Sequence, residues 1–282
     1  SRKANQPVFV GQPKRIYMAA EPFVDIHCHL LPGIDDGAKD IAESLAMARL
    51  AVADGISTII CTPHQCGNYS CNQSDAIRGA VDELQSALMQ AEIPLKVLAG
   101  ADVRIESDLV ADLLSGQIVS LGDHRRHILL ELPHELYFPL DGLHANLKAE
   151  GITGILSHPE RNQGILDRPK LVMPLVELGI LMQITAGSLV GTFGEKVQKF
   201  SEDLLCKGLV HFISTDAHGA KRRRPLLQRA YQRTVELVGE DTALALCCRN
   251  PLYVATNQDV AGGIQHKASG RVRGWFSRQA VA

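Results

Sequence analysis

Val24-Asp25-Ile26-His27-Cys28-His29 decides the fold, because a short apolar run ends there directly in two histidines. A run of this length suits a strand that is buried on both faces, as in a parallel sheet. His27 and His29 are two positions apart, so on a strand both imidazoles point to the same side and can approach one ion. The stretch therefore predicts a strand that presents two metal ligands at its carboxyl end.

Six later runs repeat this pattern. Each run is short and rich in β-branched residues or leucine, and amphipathic stretches lie between the runs. Alternation of strand and helix predicts βαβ units and a parallel sheet, which is either open and doubly wound or closed into a barrel. The seven runs span residues 24–26, 58–61, 95–99, 128–130, 153–156, 181–184 and 210–213.

The first two amphipathic stretches show the periodicity of helices. We expect a helix over residues 41–53 and a second one over residues 74–91, with Ser74 as its N-cap. The face of the first helix that is expected to be buried carries Ile41, Leu45, Ala48 and Val52.

Acidic residues and histidines follow six of the seven runs, and this distribution favours the barrel over the open sheet. In a parallel barrel all strand carboxyl ends open onto one face, where active sites are built, so these residues would converge. Histidine and carboxylate ligands without thiolates suit Zn, Mn or Fe, and so many of them indicate more than one ion. The candidates are His27, His29, His64, Asp102, Glu131, His158, Asp216 and His218, with Asp36 in the loop after the first run.

Composition narrows the classes of function. The 282 residues carry a net charge of -2, which argues against a general nucleic-acid or membrane-surface binder. Seven cysteines without regular spacing do not predict a disulfide framework, and no apolar run approaches the ~20 residues of a membrane span, so we expect a cytoplasmic protein. Residues 1–22 are expected to be an extension, 23–257 the barrel, and 258–282 a flexible basic tail.

Arginines follow two of the candidate ligands. Arg161 lies three residues after His158, and a basic run over residues 221–224 follows His218. Arginine binds phosphate through two parallel hydrogen bonds, and metal ions activate water for attack on a phosphoryl group. Metals and arginines on one face therefore predict hydrolysis of a phosphate ester.

These residues together resemble the polymerase-and-histidinol-phosphatase (PHP) superfamily. Within it, the chain is most similar to the bacterial capsule-associated tyrosine phosphatases of the CpsB/YwqE type, over residues 23–257. The motifs that carry the resemblance are Asp-Ile-His-Cys-His (25–29), Ile-Asp-Asp-Gly (34–37), Thr-Pro-His (62–64), Gly-Ala-Asp (100–102), Leu-Glu-Leu (130–132), Ser-His-Pro-Glu-Arg (157–161) and Ser-Thr-Asp-Ala-His (214–218).

The resemblance implies a distorted (β/α)7 barrel, similar to a TIM barrel, with three divalent ions, expected to be manganese with iron or zinc as alternatives. It implies that Arg161 and Arg224 hold the substrate phosphate and that Glu131 bridges two ions. We expect that His64 or a metal-bound water can serve as a proton donor. The implied reaction is attack by a metal-bridged hydroxide on phosphotyrosine in the C-terminal segment of a bacterial tyrosine autokinase that controls capsular polysaccharide synthesis. The implied metal ligands are His27, His29, Asp36, His64, Asp102, Glu131, His158, Asp216 and His218.

Three positions depart from the pattern of the family. Asp102 stands where relatives usually have glutamate, and its side chain is shorter by one methylene. The loop from His218 to Pro225 is one residue longer than usual, which makes Arg223 a rival of Arg224 as the second phosphate ligand. Thr185 ends the sixth run, where relatives often have asparagine.

Other functions remain open at this level. A PHP phosphatase of a small metabolite such as histidinol phosphate would need the same metal ligands. A nuclease of the TatD type also begins with His-x-His, although the net charge argues against it. A barrel without catalytic activity that binds metal and a partner protein is the alternative from outside the enzymes.

Overall fold

Nine parallel strands form the centre of the computed structural model, which describes residues 19–265. They pair as two sheets, in the orders β1-β2-β4 and β3-β5-β6-β7-β8-β9. Each of the seven predicted apolar runs overlaps one of these strands. The strands are β1 (Phe23–Cys28), β2 (Ile56–Cys61), β3 (His64–Gln65), β4 (Lys96–Ala99), β5 (Asp102–Arg104), β6 (His127–Glu131), β7 (Thr153–Ser157), β8 (Leu181–Thr185) and β9 (Phe212–Ser214).

The two sheets are parts of one ring with seven strand positions. β3 begins three residues after β2 ends, and β5 begins three residues after β4 ends, so each short strand continues the longer one beyond a break. Backbone hydrogen bonds cross the breaks: Thr62 N donates to Cys28 O (2.9 Å) and Asp102 N donates to Pro63 O (3.1 Å). The breaks place His64 and Asp102 at the start of new strands on the same side of the ring.

The last strand position meets the first through a few strong contacts. His29 N donates to Ala217 O (2.9 Å), and Asp216 N donates to His27 O (2.7 Å). The Asp25 carboxylate accepts hydrogen bonds from the backbone N–H (3.0 Å) and the hydroxyl (2.5 Å) of Thr215. Burial raises the pKa of Asp25 to about 6, although these hydrogen bonds lower it. The fold is therefore the predicted distorted (β/α)7 barrel.

Helices cover the outside of the barrel. Two predictions about the helices were wrong. Ser74 does not cap α2, because its hydroxyl donates to Gly116 O (2.7 Å). In α1 the buried residues are Ser44, Met47, Ala48 and Ala51, whereas Ile41 is exposed. The buried face is rotated because Met47 and the small residues pack closely on the core. The helices are α1 (Ile41–Ala53), α2 (Ser74–Gln90), α3 (Leu109–Ser115), α4 (Asp141–Ala149), α5 (Gln163–Leu166), α6 (Val172–Leu178), α7 (Ala186–Leu189), α8 (Glu195–Cys206), α9 (Gln228–Val238), α10 (Glu240–Leu244), a π-helical turn (Ala245–Arg249) and α11 (Asn250–Ala255).

Apolar side chains fill two layers. The larger layer lies between the strands and the surrounding helices. The smaller one draws on most of the strands and packs inside the ring, where Leu121 and Val254 close its lower end. Because the lower end is closed by apolar residues, polar chemistry is confined to the end where the strands terminate.

The segment after α11 packs on the lower end of the barrel. Val260 contacts the inner apolar cluster, and Gln265 N donates to Gly208 O (2.7 Å). His211 is fully buried there: it accepts a hydrogen bond from Met182 N through Nδ1 (3.0 Å) and donates one from Nε2 to Gly263 O (3.0 Å). The remainder of the predicted extension (1–18) and of the predicted tail (266–282) lies outside the described residues. Within residues 19–265, none of the helices has both the length and the apolar character that crossing a bilayer requires.

We expect His211 to make stability depend on pH. Burial lowers the pKa of His211 from 6.5 to about 4, so the unfolded chain takes up a proton at this residue before the folded protein does. Its contribution is complete above pH 6.5 and is lost as the pH falls toward 4, by about 3 kcal/mol in the free energy of unfolding.

Urea unfolding of the wild type and of His211→Asn over this pH range tests the expectation. Asparagine keeps an acceptor for Met182 N but does not titrate, so the variant should lose less stability on acidification. Metal-site groups titrate in both proteins and cancel in the comparison. Parallel loss of stability in the two proteins would show that His211 is not responsible.

Candidate metal centre

The structure brings all nine predicted ligand residues to the carboxyl ends of the strands. They form four overlapping groups, and within each group the ligand atoms lie within 4.8 Å of one another. The groups are His29, Asp36, His64 and His218; His27, His29 and Asp216; His27, Asp102 and His158; and His64, Asp102 and Glu131.

Shared members connect these groups into one centre. Asp102 belongs to two groups, whereas Glu131 belongs to one. Asp102 is thus shared between two groups of candidate ligands, and the role of Glu131 as a bridging ligand stays a prediction. Although it is one methylene shorter than glutamate, Asp102 reaches the histidines: its Oδ2 lies 3.5 Å from His27 Nε2, 3.5 Å from His64 Nδ1 and 3.9 Å from His158 Nε2.

Gln183, on β8, orients His27. Its amide nitrogen donates to Ile184 O (2.8 Å), so its Oε1 faces His27 Nδ1 (2.8 Å) and can only accept a hydrogen bond there. This hydrogen bond holds a proton on His27 Nδ1, and the other ring nitrogen, Nε2, is directed at Asp102 and Asp216. A histidine whose one nitrogen is held by an acceptor while the other points at carboxylates has the arrangement of a metal ligand.

Asp35 orients His29 in the same way. Asp35 Oδ2 lies 2.6 Å from His29 Nδ1 and also accepts from His64 N (3.0 Å), while Oδ1 accepts from Gly37 N (2.9 Å). Gly37 allows this close packing, since a Cβ at that position would lie 2.3 Å from His29 O. A third histidine, His218, is oriented by the backbone. Its Nδ1 contacts the backbone oxygen of Asp216 (3.0 Å), which directs its Nε2 toward Asp36.

The Asp102 carboxylate tests whether the centre fits a metal. It is fully buried, and neither of its oxygens accepts a hydrogen bond from residues 19–265. A buried carboxylate without donors is costly unless a cation binds it. Together with the five imidazoles, it fits divalent ions that prefer nitrogen and oxygen ligands.

The charged groups of the centre lead to the same conclusion. Burial, followed by the negative charge of Asp102, raises the pKa of Glu131 to about 7. Burial lowers the pKa of His29, but its hydrogen bonds to Asp216 and Asp35 raise it more, to about 10. The carboxylates around His29 therefore stabilise positive charge at this position. A metal ion would replace that positive charge.

Strained backbone coincides with the centre. His158 (φ 33°), Asp216 (φ 49°) and Arg223 (φ 45°) adopt positive φ angles, which are unfavourable for residues other than glycine. Each angle turns the chain directly after a strand or within the loop that follows it. Strain of this kind persists where the surrounding structure requires a side chain in one position.

Two arginines contact the Asp216 carboxylate at the edge of the centre. Arg161 donates to Asp216 Oδ2 through Nη1 and lies over the Phe193 ring, 4.6 Å from its centroid. Arg223 Nη2 lies 2.5 Å from the same oxygen. Arg224 is exposed and has no carboxylate within 4.0 Å among residues 19–265. The hydrogen bond from His218 N to Arg223 O (2.9 Å) thus holds Arg223 at the centre, and the choice between Arg223 and Arg224 as the second phosphate ligand stays a prediction.

Comparison with known proteins identifies the family. A family model described as "Capsular polysaccharide synthesis, CpsB/CapC" matches residues 23–256. The chain belongs to this family. The resemblance that the sequence motifs indicated is thus confirmed.

Several relatives of this chain carry the name tyrosine-protein phosphatase. Tyrosine-protein phosphatase YwqE of Bacillus subtilis is 43% identical over 209 residues, or 73% of this chain and 82% of that protein. The putative tyrosine-protein phosphatase CapC of Staphylococcus aureus is 30% identical over 240 residues, or 84% of this chain and 93% of that protein. A chain from the crystal structures of YwqE and of CpsB from Streptococcus pneumoniae, "unique metal-dependent tyrosine phosphatases", matches with a TM-score of 0.82 and 38% identity, covering 86% of this chain and 98% of that chain.

The sequence analysis missed several residues that support the centre. The sequence could have indicated Gln183, because it is the polar residue within an apolar run, and Asp35, because it stands beside Asp36. Thr185 lies 3.4 Å from Arg161 Nη1 through its hydroxyl, and its backbone N–H donates to the buried Glu160 carboxylate (2.9 Å). Arg104 Nε lies 3.7 Å from Glu131 Oε2, and nothing in the spacing of β5 had indicated this contact.

We expect His27→Ala to reduce the bound metal. His27 belongs to two of the four groups, so its loss removes a ligand from each of them. Elemental analysis by mass spectrometry after dialysis should show fewer divalent ions per chain than in the wild type. His124→Ala is the matched control, because His124 is exposed and lies outside every group. Equal metal content in all three proteins would exclude His27 as a ligand.

Proposed function

We propose that this CpsB/CapC-family chain is a metal-dependent protein-tyrosine phosphatase. One observation carries the proposal: the nine-residue centre has two arginines at its edge, both on Asp216, and it contains a buried carboxylate, Asp102, that accepts no hydrogen bond from residues 19–265. The names and the structure of the family members support the same activity.

Arg161 and Arg223 would hold the phosphoryl group. Their guanidinium groups present several N–H donors in a fixed plane, which matches the oxygens of a phosphate. Phe193 under Arg161 and the contact between Thr185 and Arg161 hold that guanidinium in place before substrate arrives. Two positioned guanidinium groups would stabilise the charge that develops on the phosphoryl oxygens during transfer.

The metal complement is proposed as three manganese ions held by the nine residues, with iron or zinc as alternatives. Divalent ions, when bound, supply Lewis-acid activation of water and of the phosphate ester. Asp35 and Gln183 would keep the ligating nitrogens of His29 and His27 unprotonated.

Departure of the tyrosine side chain does not require a dedicated acid. The phenol of tyrosine has an ordinary pKa near 10, so its anion leaves more easily than an alkoxide. His64, which was expected as a proton donor, has both nitrogens 3.5 Å from carboxylates, and burial followed by the charge of His29 lowers its pKa to about 4. We therefore propose His64 as a ligand that is neutral near pH 7.

The family description favours a role in capsular polysaccharide synthesis. We propose that the substrate is a phosphotyrosine in the C-terminal segment of a bacterial tyrosine kinase in the cytoplasm. A phosphatase of a small metabolite such as histidinol phosphate is the competing function, since it would use the same centre.

We expect exhaustive chelation to abolish hydrolysis of a phosphotyrosine peptide and Mn²⁺ to restore it, because water and phosphate lose their Lewis acid when the ions are removed. Phosphate release is measured with the peptide and with histidinol phosphate in parallel. Full peptide hydrolysis after chelation would refute metal dependence, and faster turnover of histidinol phosphate would favour the metabolite phosphatase.

We expect Arg223→Gln to lower kcat for a phosphotyrosine peptide by roughly 100-fold, the size of effect seen when a positioned donor to a developing anion is removed. Arg161→Gln should have a similar effect. Steady-state kinetics at saturating Mn²⁺ provide the measurement. Arg49→Gln on α1 serves as the control, because Arg49 is exposed and remote from the groups. An unchanged kcat in Arg223→Gln would remove this residue from the phosphate site.

A further inference from the structure

A positively charged cavity lies next to the candidate metal centre. It is a cavity of about 150 Å³ between the chain around α7 and the loop that leads into α9. Thr185 and Phe193 line one wall, and Arg223, Arg224 and Arg229 line the other. The lining contains three arginines and no acidic residue.

The cavity is continuous with the proposed phosphate site. Arg223 belongs to both, since it lines the cavity and contacts Asp216. On the opposite wall, the Thr185 hydroxyl contacts Arg161, and the Phe193 ring lies under the same guanidinium. A peptide whose phosphate is held by Arg161 and Arg223 would therefore place a neighbouring residue at the cavity.

Two of the three arginines form no ion pair within the described part of the chain. Arg223 is paired with Asp216, but within residues 19–265 neither Arg224 nor Arg229 has a carboxylate within 4.0 Å, and Arg224 acts on the Asp54 carboxylate only from beyond that distance. Other arginines of the barrel are paired, such as Arg78 with Asp123 and Arg233 with Glu202. Positive charge without a partner beside a substrate site favours anionic ligands.

The arginine loop is held in place by its own backbone. His218 N donates to Arg223 O (2.9 Å), and Leu226 N donates to Arg224 O (2.9 Å). The left-handed conformation of Arg223 lets this residue contact Asp216 while the next residue lines the cavity. The two adjacent arginines thus have different positions and can serve different groups.

We propose that this cavity binds an acidic side chain next to the phosphotyrosine of the substrate, through Arg224 and Arg229. The inference rests on the proposed phosphatase function and adds the substrate class: phosphotyrosine peptides with a flanking aspartate or glutamate. Planar guanidinium groups suit a carboxylate, and the threonine hydroxyls offer further donors. The site contributes to substrate binding and takes no part in the chemical step.

Three substrates separate binding from chemistry. Two phosphotyrosine peptides differ only in the residues on either side of the phosphotyrosine, glutamate in one and glutamine in the other. The third is p-nitrophenyl phosphate, which has no flanking residues. The wild type should show a KM for the glutamate peptide about fivefold lower than for the glutamine peptide, as expected for exposed ion pairs, with similar kcat. Added salt should reduce the difference, because these charges are screened.

Arg229→Gln is the principal variant. It should raise the KM of the glutamate peptide to that of the glutamine peptide and leave turnover of p-nitrophenyl phosphate unchanged, which also shows that the variant is folded. Arg224→Gln should act in the same direction. Arg222→Gln is the matched control, since this exposed arginine of the same loop does not line the cavity and should keep the preference.

The outcomes distinguish the two proposals. A wild type that hydrolyses p-nitrophenyl phosphate without any preference between the peptides, or an Arg229→Gln that retains the preference, overturns the acidic-residue site alone. Loss of the preference in Arg222→Gln as well would also overturn it, because the effect would then come from the general charge of the loop. A metal-loaded wild type that hydrolyses none of the three substrates overturns the phosphatase function and the site with it.

Discussion

The hydrogen bonds between Asp25 and Thr215 are the contacts on which the functional end of this molecule depends. They hold the first strand against the end of the last one, where the backbone pairing is limited to a few bonds around Cys28 and Ala217. His27 and Asp216 meet only because these two chain segments, 190 residues apart, are adjacent. A barrel with a gap at this junction would separate the histidines of the first strand from the candidate ligands that follow the ninth.

Bringing so many titratable groups together is unfavourable without compensation. The structure limits the cost in two ways. Acceptors outside the groups, namely Gln183, Asp35 and the backbone of Asp216, fix the protons of three histidines on the nitrogens that face away. Arg161 and Arg223 neutralise Asp216 from the edge. Asp102 is left without a hydrogen-bond donor among residues 19–265, and a buried carboxylate of this kind is stable where a cation binds.

Strand-end residues were predictable because their position follows from chain topology alone. Once the apolar runs are parallel strands of a barrel, the residue after each run must lie on the common face, and this holds for His64, Glu131 and His158 whatever the loops do. The distinction between Arg223 and Arg224 was not predictable in this way. It depends on a left-handed residue and on one backbone hydrogen bond from His218, neither of which leaves a pattern in the sequence.

The buried faces of helices and the residues that support the candidate ligands could also not be predicted from the sequence. Periodicity located α1 correctly, but the stripe that is buried was chosen by the fit of Met47 and small residues to the core rather than by hydrophobicity. Gln183 orients His27 from a strand that carries none of the nine candidate ligands, so only the closed ring brings the two together.

The segment that follows α11 determines where this protein can be truncated. The family model matches residues up to Thr256, yet Val260 packs on the inner apolar cluster and Gly263 accepts the hydrogen bond of His211. The matched region and the packed structure therefore end at different residues. A fragment trimmed to the matched region would leave the buried imidazole of His211 without its acceptor at the end of the barrel opposite the candidate metal centre.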